Sequence, residues 1–433
     1  MVEVVRAADS ESAQRRVAGG LRRAGVVAGD RVAVLLPASG DVLALALGAL
    51  RTGVIPVLLD PALPPAERAD LIADCRPALV LDDPAALATL LDAPPADLAP
   101  APLGRPMHYT SGTTGRRKGV WSGVLDEAAA AGLLAEERDL WDFHPGDRHL
   151  VFSPLYHSAP LRFAAGTLMA GGTVLLPGKF TAESIVDTIA AYAPTTAFCV
   201  PTHLRRLFGA TRPLPDLTSF RLLAHAGEAC PRQLKERLLA EFPEGSVYEF
   251  YGSTEGQFTV CTTDQWRARP DTVGLPRPGR TLRIDADGVI WCAVPAYARF
   301  TYWDAPDRTA QAWQGTEFTV GDAGRLDGAG YLYLDGRRGD LVITGGVNVY
   351  PREVERVLAE CAGVHEVAVF GVPDPDWGQR LCAAVVGTAA TTDLDRYARA
   401  NLPPARRPKE YRLVPELPRT NTGKIRRAAL PDT

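Results

Sequence analysis

The sequence predicts an α/β protein. A large N-terminal domain of parallel-rich α/β sheets carries a small β subdomain, and a small α+β domain forms the C-terminus. Three observations predict it. Short apolar runs alternate with helical segments through the first part of the chain, short strands punctuated by glycine follow residue 270, and a compact mixture of helices and strands follows Gly336. At 433 residues the chain exceeds one ordinary compact core, so two or three domains or subdomains are expected.

Residues 31–37, Arg-Val-Ala-Val-Leu-Leu-Pro, read as a buried strand, and residues 41–51 as an apolar helix that stops at Gly53. An apolar run at 54–59, a helix at 64–74 and a strand at 78–81 follow. Short apolar runs separated by helices are the pattern of βαβ units, whose parallel strands are buried on both faces. The rhythm returns at 172–176, 196–200 and 220–226, and again in the strand at 247–250. Between these blocks, 83–106 is rich in Ala and Pro and reads as a surface connection holding one short helix. Beyond 270, strands at 284–292, 318–326 and 331–334 are separated by Asp-Gly and Gly pairs, which are hairpin signals. A helix at 352–361, strands at 364–370 and 381–387 and a helix at 394–400 complete the chain. The natural division lies near 337–340, giving domains 1–336 and 337–433.

Composition narrows the function classes. A net charge of −4 supplies no electrostatic pull toward nucleic acid or an anionic membrane. The longest apolar stretches, such as 42–50, fall short of a membrane span, and residues 1–10 lack the apolar core of a signal peptide. Seven scattered cysteines without a Cys-x-x-Cys pair argue against a disulfide framework or a zinc site, and fit a reducing cytoplasm.

The chemistry concentrates at Tyr109-Thr-Ser-Gly-Thr-Thr-Gly-Arg-Arg-Lys-Gly-Val120. Four Ser or Thr hydroxyls, three glycines and three cations share this segment. Glycines let backbone amides wrap an anion, hydroxyls donate hydrogen bonds, and cations offset phosphate charge. A Walker loop requires Ser or Thr after its lysine; here Gly119 follows Lys118, so that pattern fails. The segment resembles the phosphate-binding signature of the acyl-adenylate-forming superfamily, which holds acyl-CoA synthetases, luciferases and nonribosomal peptide adenylation domains. Further segments resemble that superfamily's motifs in the same order: Ser153-Pro-Leu-Tyr-His-Ser158, Ala226-Gly-Glu-Ala-Cys-Pro231, Tyr251-Gly-Ser-Thr-Glu-Gly256, Gly321-Asp322 with Gly330-Tyr331, the region from Gly336-Arg337 to Gly345-Gly346, and Leu417-Pro-Arg-Thr-Asn-Thr-Gly-Lys424.

The resemblance implies a site assembled from these pieces. Thr110, Ser111, Gly112, Thr113, Thr114, Gly115 and Lys118 would hold the ATP phosphates. Gly227, Glu228, Tyr251 and Gly252 would form the adenine wall. Asp322 would accept from the ribose hydroxyls, and Arg337 would add a ribose or phosphate contact. Glu255 suits a Mg2+ shared with phosphate oxygens, as a carboxylate in a Gly-flanked loop at the carboxyl edge of a sheet. Thr254 would offer its hydroxyl to the α-phosphate. Lys424 would bridge the attacking carboxylate and the α-phosphate, an electrostatic and positional role. His157 either gates the acid and CoA tunnel or is a satisfied core histidine. The small domain would be mobile, with Gly345 and Gly346 in its hinge region suiting closure and close approach to a second substrate, and so counted among the cofactor-binding residues.

Ser153 stands where members that load α-amino acids carry Asp, which disfavours such substrates. The helix containing 161–166 would line the acid pocket with small and apolar side chains. Three placements are open to Arg162: solvent, the nucleotide, or a substrate anion. The chain departs from the superfamily in starting almost at the helix before Gly29-Asp30-Arg31, so the first strands are expected to be missing. Arg117 replaces the loop proline, Gly339 stands at a hinge position that commonly holds Asp or Lys, and Gly288-Val-Ile-Trp-Cys replaces a Gly-Glu-Leu turn. The leading reading is an acyl-CoA ligase that uses ATP, Mg2+ and CoA on a small-molecule acid. The alternatives are an adenylating enzyme serving an acyl carrier protein or another acceptor, with an unusual acid such as nitrite among its options, and a catalytically inactive nucleotide-binding protein.

Overall fold

A computed structural model of the chain describes residues 1–110, 117–419 and 425–430. Among them, eight strands form the largest sheet, and its middle is parallel. Thr173–Leu176, Arg148–Val151, Thr196–Cys199, Leu222–His225 and Val247–Gly252 lie side by side in that order. Their apolar residues are buried on both faces, which is why they read as continuous hydrophobic runs. Gln257–Cys261 and Leu275–Pro276 continue antiparallel at one edge.

Glu3–Arg6 pairs antiparallel with Thr173–Leu176 at the other edge. The helix Ala7–Arg23 follows it directly, so the chain does begin close to its first helix, but with one short strand before it where none was expected. Val5 is buried between exposed Glu3 and Arg6 in neighbouring strand positions, so a short charged segment still supplies one inward apolar residue.

A second sheet, all parallel, holds Ile55–Leu58, Arg31–Val34 and Leu79–Leu81. The helix Gly40–Leu50 serves both sheets and is buried from Val42 to Leu50. Ser39 caps it by accepting from the Val42 amide, which satisfies one of the otherwise unpaired N-terminal donors. The expected short helix in the 83–106 connection is Pro84–Leu91, capped by Asp83.

Two expected strands divide differently. Residues 284–292 are not one strand: Thr281–Ile284 and Ile290–Ala293 form a hairpin, with Asp285 Oδ1 accepting from the Asp287 and Val289 amides inside its turn. Residues 318–326 split between Glu317–Phe318 and Asp322–Leu326, which belong to different sheets. The break falls at Gly321, whose φ of +78° turns the backbone.

The C-terminal part has a sheet of its own. Val347–Val349, Val342–Thr344, Gly378–Gly387 and Val364–Asp374 run antiparallel in that order, and Glu410–Leu413 joins parallel to Gly378–Gly387. Pro351–Leu358 and Thr391–Asn401 contribute Val354, Leu358, Leu394 and Ala398 to its core. Gly345-Gly346 corrects the hinge expectation. The pair is the two-residue turn of the hairpin Val342–Thr344/Val347–Val349, with φ of +56° and +78°, conformations that a tight hairpin demands and glycine adopts without strain.

Phe163, fully buried on the helix Ser158–Met169, joins that helix to the main sheet. Its ring centroid lies 4.9 Å from Trp141, 5.4 Å from Phe198 and 5.7 Å from Phe143. Truncating such a side chain forfeits both transfer and cavity terms. Phe163→Ala is expected to lower the stability of the N-terminal unit by about 3–5 kcal/mol. Urea unfolding followed by tryptophan fluorescence should show an earlier midpoint and an unchanged slope.

Candidate active site

The strand Val247–Gly252 ends where the main sheet meets the small β-sheets, and its last residues turn into 253–256. Tyr251 is buried and its ring packs on Phe258 at 4.6 Å between centroids. Its hydroxyl donates to Asp322 Oδ2 at 2.7 Å. Burial first, and then the Asp322 charge, hold the Tyr251 hydroxyl well above the ordinary phenol range, so it stays a donor. Asp322 opens the hairpin Asp322–Leu326/Leu332–Arg337, whose last residue returns beside it: Arg337 Nε lies 3.0 Å from Asp322 Oδ1. That Oδ1 is buried and has no hydrogen-bond partner among the described residues. Ser253 Oγ is in the same condition nearby in sequence. Buried acceptors and donors are seldom left so in a finished site, and these two fit a polar ligand.

Glu255 is buried, with Oε1 accepting from Tyr302 at 2.9 Å. Tyr302 is carried by Thr301–Tyr302, the neighbour of Lys118–Trp121. Lys118 Nζ sits 5.1 Å from the centre of the Tyr302 ring, and desolvation lowers its pKa. Lys118 also pairs across the ladder with Thr110, so the two stems of the Gly-rich segment are joined by antiparallel pairing. Ser111, Gly112, Thr113, Thr114 and Gly115, between those stems, lie outside the described residues, as does Lys424. Arg117, the departure from the superfamily pattern, pairs with Glu67 of the helix Pro65–Cys75.

Other expected residues fall into place less directly. Gly227 has φ of +91°, and its neighbour Glu228 turns its side chain away to accept from the Thr202 amide at 2.6 Å, capping the helix Pro201–Phe208. The turn thus presents backbone rather than the Glu228 carboxylate. Gly252 is tightly approached: a Cβ there would meet Gln257 Oε1 at 2.6 Å. His157 precedes the helix Ser158–Met169 and packs edge-on against Tyr156 at 4.6 Å. Gly345 and Gly346 stay in their hairpin turn, where a Cβ on Gly345 would meet Trp377 at 2.8 Å.

Beside Thr254 and Gly256 opens a cleft lined mainly by apolar side chains. The helix Glu127–Trp141 gives it Ala130, Leu133, Leu134 and Glu137, an i, i+3, i+4, i+7 stripe. The helix Ser158–Met169 supplies the facing wall, as its sequence implied, and Arg162 points into that wall. Behind it sits a buried charge cluster. Arg277 pairs with Glu136 at 3.0 Å and Glu137 at 2.7 Å, and Arg280 pairs with Glu136 at 2.9 Å. The charge of Arg162 first and then Arg277 hold Glu137 ionised, its pKa pushed down to about 2 despite burial. Sequence reading missed Arg105, His108, Glu137, Arg280 and Tyr302. They belong to no motif, and only folding brings them together.

The metal-donor set is spare. Among the described residues no three or more His, Cys, Asp or Glu side chains converge. Glu255, with one oxygen left beyond its Tyr302 bond, fits a Mg2+ that keeps water and takes its other oxygens from phosphates.

The chain belongs to the AMP-binding enzyme family. That family's model matches residues 8–101 and 106–291, and the model of the AMP-binding enzyme C-terminal domain matches 353–424. The chain is 32% identical to an indoleacetate–CoA ligase of Aromatoleum aromaticum, over 95% of this chain and 90% of that one. It is 31% identical to the fatty acid–[acyl-carrier-protein] ligase ScoC of Streptomyces coeruleorubidus, over 96% and 89%. ATP-bound MatB from Rhodopseudomonas palustris superposes with a TM-score of 0.85 at 30% identity, covering 98% of this chain and 92% of that one. The structural neighbours share its two-domain fold. No helix among the described residues is long and apolar enough to cross a membrane.

The buried histidines generate a pH prediction. Burial pushes His108 down to about 4, with its ring Nδ1 3.1 Å from the Tyr156 carbonyl, and pushes His149 to about 3 and His203 to about 4. A folded pKa below the unfolded value of about 6.5 means the unfolded chain takes up protons first as pH falls. The stability is therefore full above about pH 6.5 and is lost progressively as pH falls toward the folded values. His108 alone accounts for about 3 kcal/mol across that window. Melting temperatures measured from pH 7.5 to 4.5 should fall steeply below 6.5, and His108→Gln should flatten the slope.

Proposed function

We propose that the protein uses ATP to convert a carboxylic acid into its acyl-adenylate, releasing pyrophosphate, and then transfers the acyl group to CoA. In the first step a carboxylate oxygen bonds to the α-phosphorus and the bond to pyrophosphate breaks. In the second, the thiol sulfur attacks the acyl carbonyl, AMP leaves and the thiol proton passes to solvent. The observation that carries this reading is that the segment 251–256 ties Tyr251 to Asp322, ties Glu255 to Tyr302 beside Lys118, and gives Thr254 to the lining of the cleft.

In this reading the orphan Oδ1 of Asp322 accepts from ribose, with Arg337 beside it. Tyr251, Gly252 and the backbone of the Gly227-Glu228 turn face adenine. The Gly-rich segment 110–115 and Lys118 take the phosphates. Mg2+, when bound at Glu255, supplies charge neutralisation on the phosphate oxygens; Tyr302 keeps that carboxylate aimed. Thr254 meets the α-phosphate, His157 borders the route of the acid and thiol, and Lys424 stabilises charge between the joining oxygens. The C-terminal unit, 337–433, delivers Lys424, with the move centred near Arg338–Asp340 rather than at Gly345-Gly346.

The two relatives named above point to different acceptors, CoA for the indoleacetate–CoA ligase and an acyl carrier protein for ScoC. Acid-dependent exchange of labelled pyrophosphate into ATP, followed by AMP release with and without CoA, separates them. CoA-dependent AMP release with thioester formation is expected. Lys424→Ala should cut exchange by at least about a hundredfold, the scale of losing one charge-stabilising group, while ATP still binds by calorimetry. Exchange unchanged in that variant contradicts the lysine assignment, and absence of exchange with every acid supports an inactive nucleotide-binding protein instead.

A further inference from the structure

The helix Ser158–Met169 has two buried faces. Phe163, Ala164, Thr167 and Leu168 pack into the protein, while Ser158, Leu161, Arg162, Ala165, Gly166 and Met169 line the cleft. The cleft face follows helical spacing, and Arg162 is its one charged member. A guanidinium set in an apolar stripe loses hydration and needs a counter-charge with hydrogen-bond geometry. Burial lowers its pKa from the usual arginine value, in keeping with that loss.

Arg162 does not find that geometry within the described residues. Its Nε lies 3.4 Å from Glu137 Oε2, yet Nε and Nη2 are both buried without a hydrogen-bond partner there. Glu137 is engaged elsewhere, accepting from Arg277 Nη2 at 2.7 Å and from Trp141 Nε1 at 3.0 Å. The guanidinium otherwise faces aromatic rings, 5.5 Å from the Phe250 centroid and 5.8 Å from that of Phe163. The other two arginines of the cleft make hydrogen bonds to backbone carbonyls, although Arg105 Nε is also buried without a partner among the described residues. Arg105 donates to the carbonyls of Glu255, Ala298 and Arg299, and Arg280 to those of Gln257 and Pro278 as well as pairing with Glu136. Three arginines and a single glutamate line the cleft among the described residues, so its wall carries excess positive charge.

We propose that Arg162 selects an acid bearing a second oxyanion, a carboxylate or sulfonate, at the end remote from the reacting carboxylate. The free Nε and Nη2 form one edge of the guanidinium fork, the edge that grips a planar or tripodal oxyanion through two parallel hydrogen bonds. Phe250, which flanks the guanidinium, and Thr254, where the reacting carboxylate sits in the adenylation reading, are four residues apart in the chain. That spacing is at most about 13 Å of extended backbone, within reach of a short diacid. A methyl-ended acid of the same length would leave the guanidinium buried and unpaired. Arg162 is thus a specificity residue, and its role rests on the adenylation reading.

The test uses the full chain in acid-dependent pyrophosphate exchange with matched pairs: pentanoate against glutarate, hydrocinnamate against 3-(4-carboxyphenyl)propanoate, and the corresponding sulfonates. In at least one pair the doubly anionic acid is expected to exceed its methyl- or hydrogen-ended partner by about tenfold or more in kcat/KM, the scale of a charge-assisted hydrogen-bonded pair. Arg162→Met should bring that ratio close to one, and Arg162→Lys, which keeps the charge without the fork, should retain part of it. If Arg162→Met does not melt cooperatively, the wild-type ratio and Arg162→Lys decide. Exchange supported equally or better by the singly charged acids in every pair overturns the inference and leaves adenylation standing. A preference that Arg162→Met leaves intact also overturns it. Exchange with no acid at all overturns adenylation, and the inference with it.

Discussion

The Tyr251 hydroxyl donates to Asp322 across 2.7 Å, joining residues that lie 71 apart in the chain. One end of that bond is the last stretch of a central parallel strand; the other opens the hairpin that leads into the C-terminal unit. Everything the site needs is arranged around it. The strand delivers Thr254 and Glu255 just beyond its end, and the hairpin returns Arg337 to the same carboxylate. A buried phenol and a buried carboxylate would each be costly alone, and together they satisfy one another. The carboxylate's other oxygen, Oδ1, is ion-paired with Arg337 but makes no hydrogen bond among the described residues, which suits the clamp to a polar ligand.

The second constraint is the charge cluster behind the cleft. Arg277 and Arg280 draw Glu136 and Glu137 into the interior, and the helix Glu127–Trp141 is thereby fixed against the small β-sheets. Buried ion pairs are a weak source of net stability, because desolvation offsets their attraction. Their consequence here is positional. They fix the wall opposite the helix Ser158–Met169 and take up the hydrogen-bonding positions of Glu137, leaving Arg162 an ion pair with it at 3.4 Å but no hydrogen bond from Nε or Nη2 among the described residues.

The parallel core was legible because fully buried strands are continuous apolar runs and the helices between them have clear stops, as at Gly53. Strand division after residue 270 was not. Within 284–292 the Asp287-Gly288 pair marks a turn that reading the segment as one strand passed over, and Asp285 folds its side chain onto the following amides to make it. Gly345-Gly346 reads as a hinge or as a hairpin turn with equal ease, since both exploit positive φ; pairing of the flanking strands decides for the turn. The nucleotide-binding expectation rests on residues that sit in contiguous motifs. Tyr302, Arg105 and Glu137 were invisible, since each acts only through partners brought from far along the chain.

The Gly-rich segment that marks this chain in sequence therefore sharpens into one part of a wider assembly, whose described stems Thr110 and Lys118 meet the Tyr302–Glu255 pair. The central claim is that one site holds the nucleotide on Asp322 and the acid in the adjoining cleft. A crystal structure with an acyl sulfamoyl-adenosine, a stable mimic of the adenylate, tests it most directly. The account predicts both ribose hydroxyls on the Asp322 carboxylate, adenine beside Tyr251 and the acyl chain between the helices Glu127–Trp141 and Ser158–Met169. A nucleotide bound without touching Asp322, or an acyl chain lying outside that cleft, would contradict it.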